Sequence, residues 1–446
     1  MAGRRRVVVT GLGTATPLGI GVEALWDGLV QGRCGVRRVE SFDAGGFPSR
    51  IGAELPSFQL GDFVPKSYRK SAKVMSRDIV IAVVCAYHAV KDAKLATRCL
   101  VDRGEASEPL GVDSTRFGAN IGAGLVCADL PELAGALATA RDGNGSFSIE
   151  RWGAEGMTNL TPLWMLKFLP NMLACHVTIV HDAQGPSNTI TCGEASSHLA
   201  IGEAYRTIAR GTADVCICGG AESQTNPTAF LRPHLFQRVN VDDNDVPERA
   251  SRPFAADARG LVVAEGGGLV ILESFDHARA RGARVYAEVV GFGAGSNTHH
   301  WSEPDPRGRG LSAALHNALR DAAVSPSAVD LVSLFGTGIR AHDEAESAGW
   351  KVVLGDRLAT IPAMTTRGAT GVNGAGSGAI DFAAACMALH NNTVPSSINT
   401  GSAATDCPFR FVDKGPIDAR VRIAVSAATA LAGGQSAALV IRKPEE

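Results

Sequence analysis

The sequence carries almost no net charge and contains no long apolar run. Its 43 lysines and arginines nearly balance 45 acidic residues, and no basic stripe favours nucleic acid as a partner. No stretch reaches the roughly 18 consecutive apolar residues that a membrane span needs. The short apolar run after Arg4, Arg5 and Arg6 has no cleavage pattern behind it, so it predicts a first strand rather than a secretory signal. We therefore expect a protein that binds neither nucleic acid nor a membrane.

The ten cysteines lack the spacing of metal sites and of redox pairs. The sequence has no C-x-x-C pair and no Cys/His cluster at zinc spacing. Most of the cysteines lie inside apolar runs such as AVVCAYHAV and DVCICGG. We interpret them as reduced, buried thiols of a cytoplasmic protein, and we predict no metal site.

Low-complexity segments are also absent, and the apolar runs indicate an α/β protein. With 45% hydrophobic and 20% charged residues, the 446-residue chain is long enough for two or three compact units. Uniformly apolar strands alternate with helices, which is typical of sheets covered on both faces. Strands are predicted at 6–13, 116–124, 187–191, 214–220, 268–274, 285–293, 330–336, 421–428 and 437–443. Helices are predicted at 22–31, 78–94, 162–180, 196–210, 310–323, 343–353 and 378–390.

One turn holds an unexpected side chain. The segment 185–223 reads GPSNTITCGEASSHLAIGEAYRTIARGTADVCICGGAES, and Glu194 lies where a strand, a glycine turn and an amphipathic helix meet. An α/β enzyme usually holds a nucleophile at such a turn, because the turn exposes the side chain and the helix N-terminus stabilises an anion. The residues alone leave open whether this chain has lost that chemistry or exchanged it.

Three segments carry a family resemblance. Segment 185–223, SRPFAADARGLVVAEGGGLVILES and the opening VVVTGLGTATPLG resemble the β-ketoacyl synthases, in the same order and over nearly the whole chain. The resemblance implies a thiolase-like fold, in which two similar halves build five αβαβα layers and the protein works as a dimer. We expect residues 1–260 and 261–446 to be the two halves.

The resemblance implies that the catalytic positions have changed. An active member has a cysteine nucleophile where this chain has Glu194, and two histidines where it has Phe335 and Val372. Neither Phe nor Val has a side-chain hydrogen-bond donor. The phenylalanines of the family's C-terminal gate are replaced by Ala430 and Ala432. We therefore expect no catalytic residue in this chain.

Glu194 is a poor substitute for a thiolate. Acyl transfer to a carboxylate would give a mixed anhydride, which is more reactive than the thioester donor. We interpret Glu194 as a plug that accepts hydrogen bonds at the helix N-terminus. On a strand, the Cys192 side chain would point in a different direction from the nucleophile position, so we interpret Cys192 as a buried core residue. His198 is assigned a core or solvated role.

An intact scaffold without the cysteine and histidines resembles the chain-length factor, or ketosynthase β subunit, of type II polyketide synthases. Those subunits usually have Gln at the position of Glu194. The resemblance implies a heterodimer with an active ketosynthase α subunit, which condenses malonyl units presented on the phosphopantetheine of an acyl carrier protein. This chain itself would bind no cofactor. In such factors a polyketide tunnel passes the segment GAGLVCADLPEL, so Leu125, Cys127 and Ala128 are candidate tunnel residues.

Three more positions follow from the resemblance. Thr337 matches one of two threonines that hold the phosphopantetheine arm in active members, and Ile339 takes the place of the other. Glu346 matches an acidic residue of the family and Arg367 replaces its lysine, which predicts a structural ion pair.

Two other functions stay open. One is a self-sufficient enzyme, either a malonyl-carrier-protein decarboxylase or an unusual β-ketoacyl synthase. The other is a degenerate homodimer of the same fold that binds acyl groups for another purpose. Decarboxylation would leave the developing enolate without side-chain donors, and losing one such donor commonly costs roughly 10²–10³ in rate.

Overall fold

The computed structural model describes residues 4–401, 404 and 406–445. The strands are β1 (Val7–Thr16), β2 (Gly19–Ile20), β3 (Arg37–Arg38), β4 (Ile51–Gly52), β5 (Phe117–Ala123), β6 (Ser187–Ile190), β7 (Val215–Ser223), β8 (Glu265–Ser274), β9 (Ala287–Ser296), β10 (Leu331–Ser333), β11 (Pro362–Met364), β12 (Thr393–Val394), β13 (Arg410–Phe411), β14 (Ile417–Asp418), β15 (Ile423–Thr429) and β16 (Gln435–Arg442).

The helices alternate with the longer strands, as the sequence predicts. They are α1 (Val22–Val30), α2 (Arg77–Asp92), α3 (Arg98–Asp102), α4 (Leu130–Thr139), α5 (Ile149–Ala154), α6 (Met172–His181), α7 (Ser196–Ala209), α8 (Pro227–Leu235), α9 (Phe275–Ala280), α10 (Arg309–Ala322), α11 (Arg340–Leu354), α12 (Arg367–Thr370) and α13 (Ser377–Asn391). None of them is both long and apolar enough to cross a bilayer, in the part of the chain that the structure describes.

The main sheet contains the same five-strand unit twice. The order β1-β8-β7-β5-β6 in the first half recurs as β9-β16-β15-β10-β11 in the second. In each unit the first two pairings are antiparallel and the last two are parallel. The units meet where β1 pairs with β9. Because β8 belongs to the first unit, the repeat divides between β8 and β9. The sequence predicted a boundary at residue 260, before β8.

Helices cover both faces of this sheet and fill its centre. Helices α2 and α6 pack on the outer face of the first unit, and α10 and α11 pack on the outer face of the second. Helices α7 and α13 lie in the central core, where strands of both units contact them. The predicted duplicated thiolase-like fold with five αβαβα layers is confirmed.

Burial on both faces explains the uniformly apolar strands. In β7, Val215 and Ile217 face the outer core, while Cys216 and Cys218 face the central one. Successive residues of a strand point to opposite faces, so both sets must be apolar when both faces are covered.

The predicted helix over 162–180 is wrong in its first half. The chain there forms a 3₁₀ turn at Trp164–Phe168, and α6 begins only at Met172. Pro170 lies between them, and a proline inside a helix lacks an N–H donor and clashes with the preceding turn. No helix was predicted for α4, α5 or α8, although Leu130, Leu133 and Leu137 of α4 follow a helical period.

Candidate functional site

Two similar elbows begin the two central helices. Before α7, Gly193 adopts φ +54° and the Cys192 N–H donates to Ser196 Oγ at 2.8 Å. Before α13, Gly374 adopts φ +54° and the Asn373 N–H donates to Ser377 Oγ at 2.9 Å. A positive φ favours glycine, and the serine hydroxyl ties the start of each turn to its helix. Glu194 occupies the apex of the elbow in the first half.

The Glu194 carboxylate is used as a hydrogen-bond acceptor in the structure. It is buried, and its Oε2 accepts a hydrogen bond from the Leu431 N–H at 2.7 Å. Burial raises the pKa of this carboxyl, and that hydrogen bond together with Arg238 and Arg232 opposes the shift. Glu194 therefore fastens the loop after β15 to the start of α7.

Phe335 and Val372 contribute to an apolar cluster next to this carboxylate. The cluster comprises Phe230, Val239, Leu261, Val263, Phe335, Val372, Ala428 and Leu431. Leu431 connects the cluster to Glu194, because its side chain packs in the cluster and its N–H donates a hydrogen bond to the Glu194 carboxylate. Neither Phe335 nor Val372 offers a side-chain donor, so the cluster has no group that would stabilise an enolate.

A cavity of about 420 Å³ lies beside Glu194. Its lining includes the apolar residues Leu125, Pro170, Pro233, Phe236, Leu261 and Leu431 and the polar residues Glu194, Glu222, Gln224, Arg232 and Arg238. Arg232 contacts two other lining residues. Its Nη1 donates to Leu125 O at 3.0 Å, and its Nη2 lies 3.7 Å from Glu222 Oε1. The lining thus combines apolar side chains with four charged ones, and we call the charged wall the set of Glu194, Glu222, Arg232 and Arg238.

Of the three predicted tunnel residues, Leu125 lines this cavity. Its side chain is 65% exposed in the single chain. Cys127 and Ala128 follow on the same loop and are partly exposed, and Cys127 Sγ accepts a hydrogen bond from Arg232 at 3.4 Å. The three residues stay tunnel candidates, and Leu125 is the best placed of them.

The charged wall was missed from the sequence. Arg232 and Arg238 lie on and just after α8, which showed no clear helical pattern, and Glu222 ends a strand that reads as apolar. Glu222 is buried and its Oε2 accepts a hydrogen bond from the Ala375 N–H at 2.7 Å. The sequence offers a pair of arginines within seven residues, and such a pair is too weak a signal to place them in a cavity.

Thr337 has its hydroxyl engaged within its own loop. The hydroxyl donates to Asp343 Oδ1 at 2.8 Å and accepts from the Ile339 N–H at 2.9 Å. Thr337 lines a second cavity of only about 40 Å³, and Leu431 lines both cavities. A phosphopantetheine arm would need more room and a free hydroxyl here.

The predicted ion pair between Glu346 and Arg367 is wrong. Glu346 accepts hydrogen bonds from the N–H groups of Phe335 and Gly336, at 2.8 and 2.9 Å, and burial raises its pKa to about 7. Arg367 is fully buried and forms an ion pair with Asp381 at 2.5 Å. Both residues contact Phe335, Glu346 through the backbone N–H and Arg367 through its guanidinium, which lies 5.2 Å from the ring centroid.

The two alternative reactive residues are unsuited to nucleophilic chemistry. Cys192 is half-buried and burial raises the pKa of its thiol, which disfavours the thiolate. His198 is fully buried in the central core, where its Nε2 lies 2.9 Å from Ser426 Oγ. Burial lowers the pKa of His198 to about 3, so the ring is neutral.

A buried aspartate lies close to Glu222. Asp78, in the first turn of α2, accepts a hydrogen bond from the Ser223 N–H at 3.0 Å. Burial raises its pKa to about 7, and the neighbouring carboxylates Glu222 and Glu265 add to the shift. Because the folded state binds this proton more tightly than the unfolded state, the contribution of Asp78 to stability falls as pH rises from about 4 to about 7.

Replacing Asp78 by Asn should therefore stabilise the protein at pH 8. The amide Oδ1 keeps the bond from Ser223 and carries no charge to bury, so the free energy of unfolding should rise by on the order of 2 kcal/mol. At pH 5 the gain should be smaller, because the folded state still holds the proton there and only the unfolded state has ionised, and below about pH 4 it should vanish. Urea unfolding at pH 5 and pH 8 measures both values. The exposed substitution Asp276→Asn is the control, and an equal effect of Asp78→Asn at both pH values would contradict the assignment.

Comparisons with known proteins agree with this architecture. The family profile described as β-ketoacyl synthase, N-terminal domain, matches residues 4–278, and the corresponding C-terminal domain profile matches residues 286–401. The chain is 32% identical to the 3-oxoacyl-[acyl-carrier-protein] synthase 2 of Synechocystis over 409 residues, which covers 92% of this chain and 91% of that protein.

Two solved structures are similar over nearly their whole length. The ishigamide ketosynthase/chain length factor superposes with a TM-score of 0.83 at 28% identity, covering 99% of this chain and all of the other. A type II polyketide synthase ketosynthase, solved with its acyl-carrier protein and bound to the hexaketide, superposes with a TM-score of 0.82 at 27% identity and the same coverage.

Proposed function

The chain belongs to the β-ketoacyl synthase family, and from this membership we propose that it is the non-catalytic, chain-length-determining subunit of a type II polyketide synthase ketosynthase heterodimer. Its partner is an active ketosynthase α subunit, which condenses malonyl units delivered by an acyl carrier protein. This chain completes the dimer and shapes the tunnel for the growing polyketide.

The observation that carries the proposal is the use of Glu194. A carboxylate that fastens Leu431 through a hydrogen bond replaces the nucleophile, and the positions that the resemblance assigns to histidines pack in an apolar cluster. A mutated but still active enzyme would keep a nucleophile or an enolate donor at these places. An intact fold without a nucleophile or enolate donor at these positions is what we expect of a subunit whose partner performs the chemistry.

The surface beside the cavity has features that are typical of a protein interface. Strand β6 is the last strand of its sheet in the described chain, and its residues are exposed or half-buried. The loops and short helices that follow β5 expose many large apolar side chains, namely Leu125, Leu130, Leu137, Phe147, Ile149, Met157, Leu163, Met165 and Leu169. An unpaired edge and an apolar face of this size favour a protein interface. We propose that the active ketosynthase covers this face.

The small cavity around Thr337 favours delivery through the partner. Its volume of about 40 Å³ holds only a few water molecules, and the Thr337 hydroxyl is already bound to Asp343. The acyl carrier protein would therefore present its phosphopantetheine to the ketosynthase α subunit. This chain would then contact the growing acyl chain but not the phosphopantetheine arm.

Co-expression with a cysteine-bearing ketosynthase tests the proposal. We expect a 1:1 complex by size-exclusion chromatography with light scattering, and a less soluble product when the chain is expressed alone. Replacing Leu125 by Trp should shorten the main product of the complex, because the indole would fill the cavity where the chain is proposed to extend. Mass spectrometry of the products measures the chain length.

A matched control separates tunnel blockage from damage to the fold. Val352 is 61% exposed on α11 and lies outside the cavity lining, so Val352→Trp should leave product length unchanged. An unchanged length for Leu125→Trp in an intact complex would remove Leu125 from the tunnel. A stable, soluble homodimer that binds no ketosynthase would contradict the proposed function itself.

A further inference from the structure

We propose that the cavity beside Glu194 selects an acyl chain that carries ketone oxygens near its far end, with Arg232 and Arg238 as the residues that recognise those oxygens. The inference rests on the proposed function, because it requires the chain growing on the partner to enter this cavity. It adds a class of acyl chain and two specificity residues to that function.

The charged wall argues against a hydrocarbon chain. Two arginines and two glutamates line a cavity whose other lining residues are mostly apolar. A saturated chain would displace water from these groups and return no hydrogen bonds, and burying polar groups without partners is unfavourable. A chain with ketone oxygens would satisfy the donors and still pack its carbon atoms on the apolar lining residues.

The arginines have donors to offer. The Arg238 guanidinium uses its Nη2 to bind Ser302 O, which is the only hydrogen bond that this side chain forms to the described part of the chain. Arg232 uses its Nη1 for Leu125 O and Cys127 Sγ. Each guanidinium has five N–H donors, so both keep donors that no described residue accepts in a hydrogen bond. A ketone oxygen is an acceptor without charge and suits them.

The charge balance favours a neutral acceptor over an anion. The carboxylates of Glu194 and Glu222 offset the two guanidinium charges, and Glu222 lies 3.7 Å from Arg232. A bound carboxylate or phosphate would meet both positive and negative groups within the same cavity. A carbonyl group accepts from the arginines without repelling the glutamates as a full anion does.

The cavity opens towards the surface that we propose the ketosynthase covers. Leu125, Thr191 and Gly193 line its rim and are exposed in the single chain. Thr191 directly follows the edge strand β6. An acyl chain that crosses from the partner would therefore reach the rim first and the two arginines next.

Binding of matched thioesters to the heterodimer tests the inference. The probes are saturated pantetheine thioesters of eight, ten and twelve carbons, each compared with the same chain bearing a ketone at the carbon next to its end. The partner's nucleophilic cysteine is replaced by Ala so that calorimetry reports binding alone. At the length that reaches the arginines, the ketone should bind at least about tenfold more tightly, as expected for a hydrogen bond from a charged group.

Substitutions in the charged wall assign that preference. Arg238→Met should remove most of it, and Arg232→Met should reduce it, while the exposed Arg420→Met should leave it intact. Arg238→Met is the decisive variant, because it loses one hydrogen bond to Ser302, whereas Arg232→Met also leaves Glu222 without its ion pair. Thermal unfolding of each complex shows that the variant is folded.

The outcomes separate this inference from the proposed function. Equal binding of ketone and saturated probes at every length, or a preference that survives both substitutions, would overturn the inference. If the heterodimer forms and Leu125→Trp shortens the product while the ketone has no advantage, the inference alone fails. If no cysteine-bearing ketosynthase forms a complex, the proposed function fails and the inference fails with it.

Discussion

Replacing the partner's nucleophilic cysteine by Ala should lower polyketide formation by the heterodimer by roughly 10³-fold or more, the scale seen when a covalent nucleophile is removed. Replacing Glu194 by Gln in this chain should leave the rate within about twofold of wild type, an effect too small to reflect a lost nucleophile. The amide oxygen still accepts from the Leu431 N–H, and no acyl group is expected on either side chain. Turnover of malonyl units by the complex, followed by mass spectrometry of the products, measures both rates.

A second substitution shows what Glu194 contributes. Glu194→Ala removes the acceptor and leaves the buried Leu431 N–H without a partner, which should destabilise the fold by about 1–3 kcal/mol. Product formation per folded complex should change little. Two results would contradict this division of labour: a rate for Glu194→Gln as low as that of the partner's cysteine variant, or malonyl-carrier decarboxylation by the isolated chain that Glu194→Ala abolishes.

Replacing Arg367 by Met should lower the free energy of unfolding by about 3–5 kcal/mol, the usual cost of removing one partner of a buried ion pair. Arg367 and Asp381 are both fully buried, and the arginine also donates to the carbonyl oxygens of Gly371 and Ser377 at 3.0 and 2.9 Å. Without the arginine, Asp381 must be buried as an unpaired charge or take up a proton. Urea unfolding at pH 8 measures the loss.

The double variant Arg367→Met/Asp381→Leu tests the cause of that loss. It should recover much of the stability, because removing both charges of a buried pair is often nearly neutral. The substitution Arg340→Met breaks an exposed pair with Glu344 and should leave the free energy of unfolding essentially unchanged. If Glu346 rather than Asp381 held Arg367, then Asp381→Leu would add to the loss instead of relieving it.

The fold followed from patterns that are local in sequence. Apolar runs such as the one in β7 and the periodic face of α7 gave the right elements because burial on both faces of a sheet demands them. The helix predicted over 162–180 failed because a single proline outweighed its apolar composition. Helix α8 went unnoticed, since its residues pack on the apolar cluster and the cavity without a regular stripe.

The site was less accessible to sequence reasoning. The resemblance drew attention to Glu194, Phe335 and Val372, and the structure places all three close to Leu431. The partners of Arg367 and Glu346 were misassigned, because matching charges along the chain say nothing about which groups share a core. Ion pairs between distant residues depend on packing that no local pattern encodes.

The sequence by itself determined the α/β scaffold and the presence of a carboxylate at the elbow, because both are carried by residue type at fixed local spacing. Only the tertiary structure decided that Glu194 binds Leu431, that Arg367 pairs with Asp381, and that Arg232 and Arg238 meet two glutamates in one cavity. Each of these contacts joins residues far apart in the chain, and their energies depend on distance and burial, which exist only once the chain has folded.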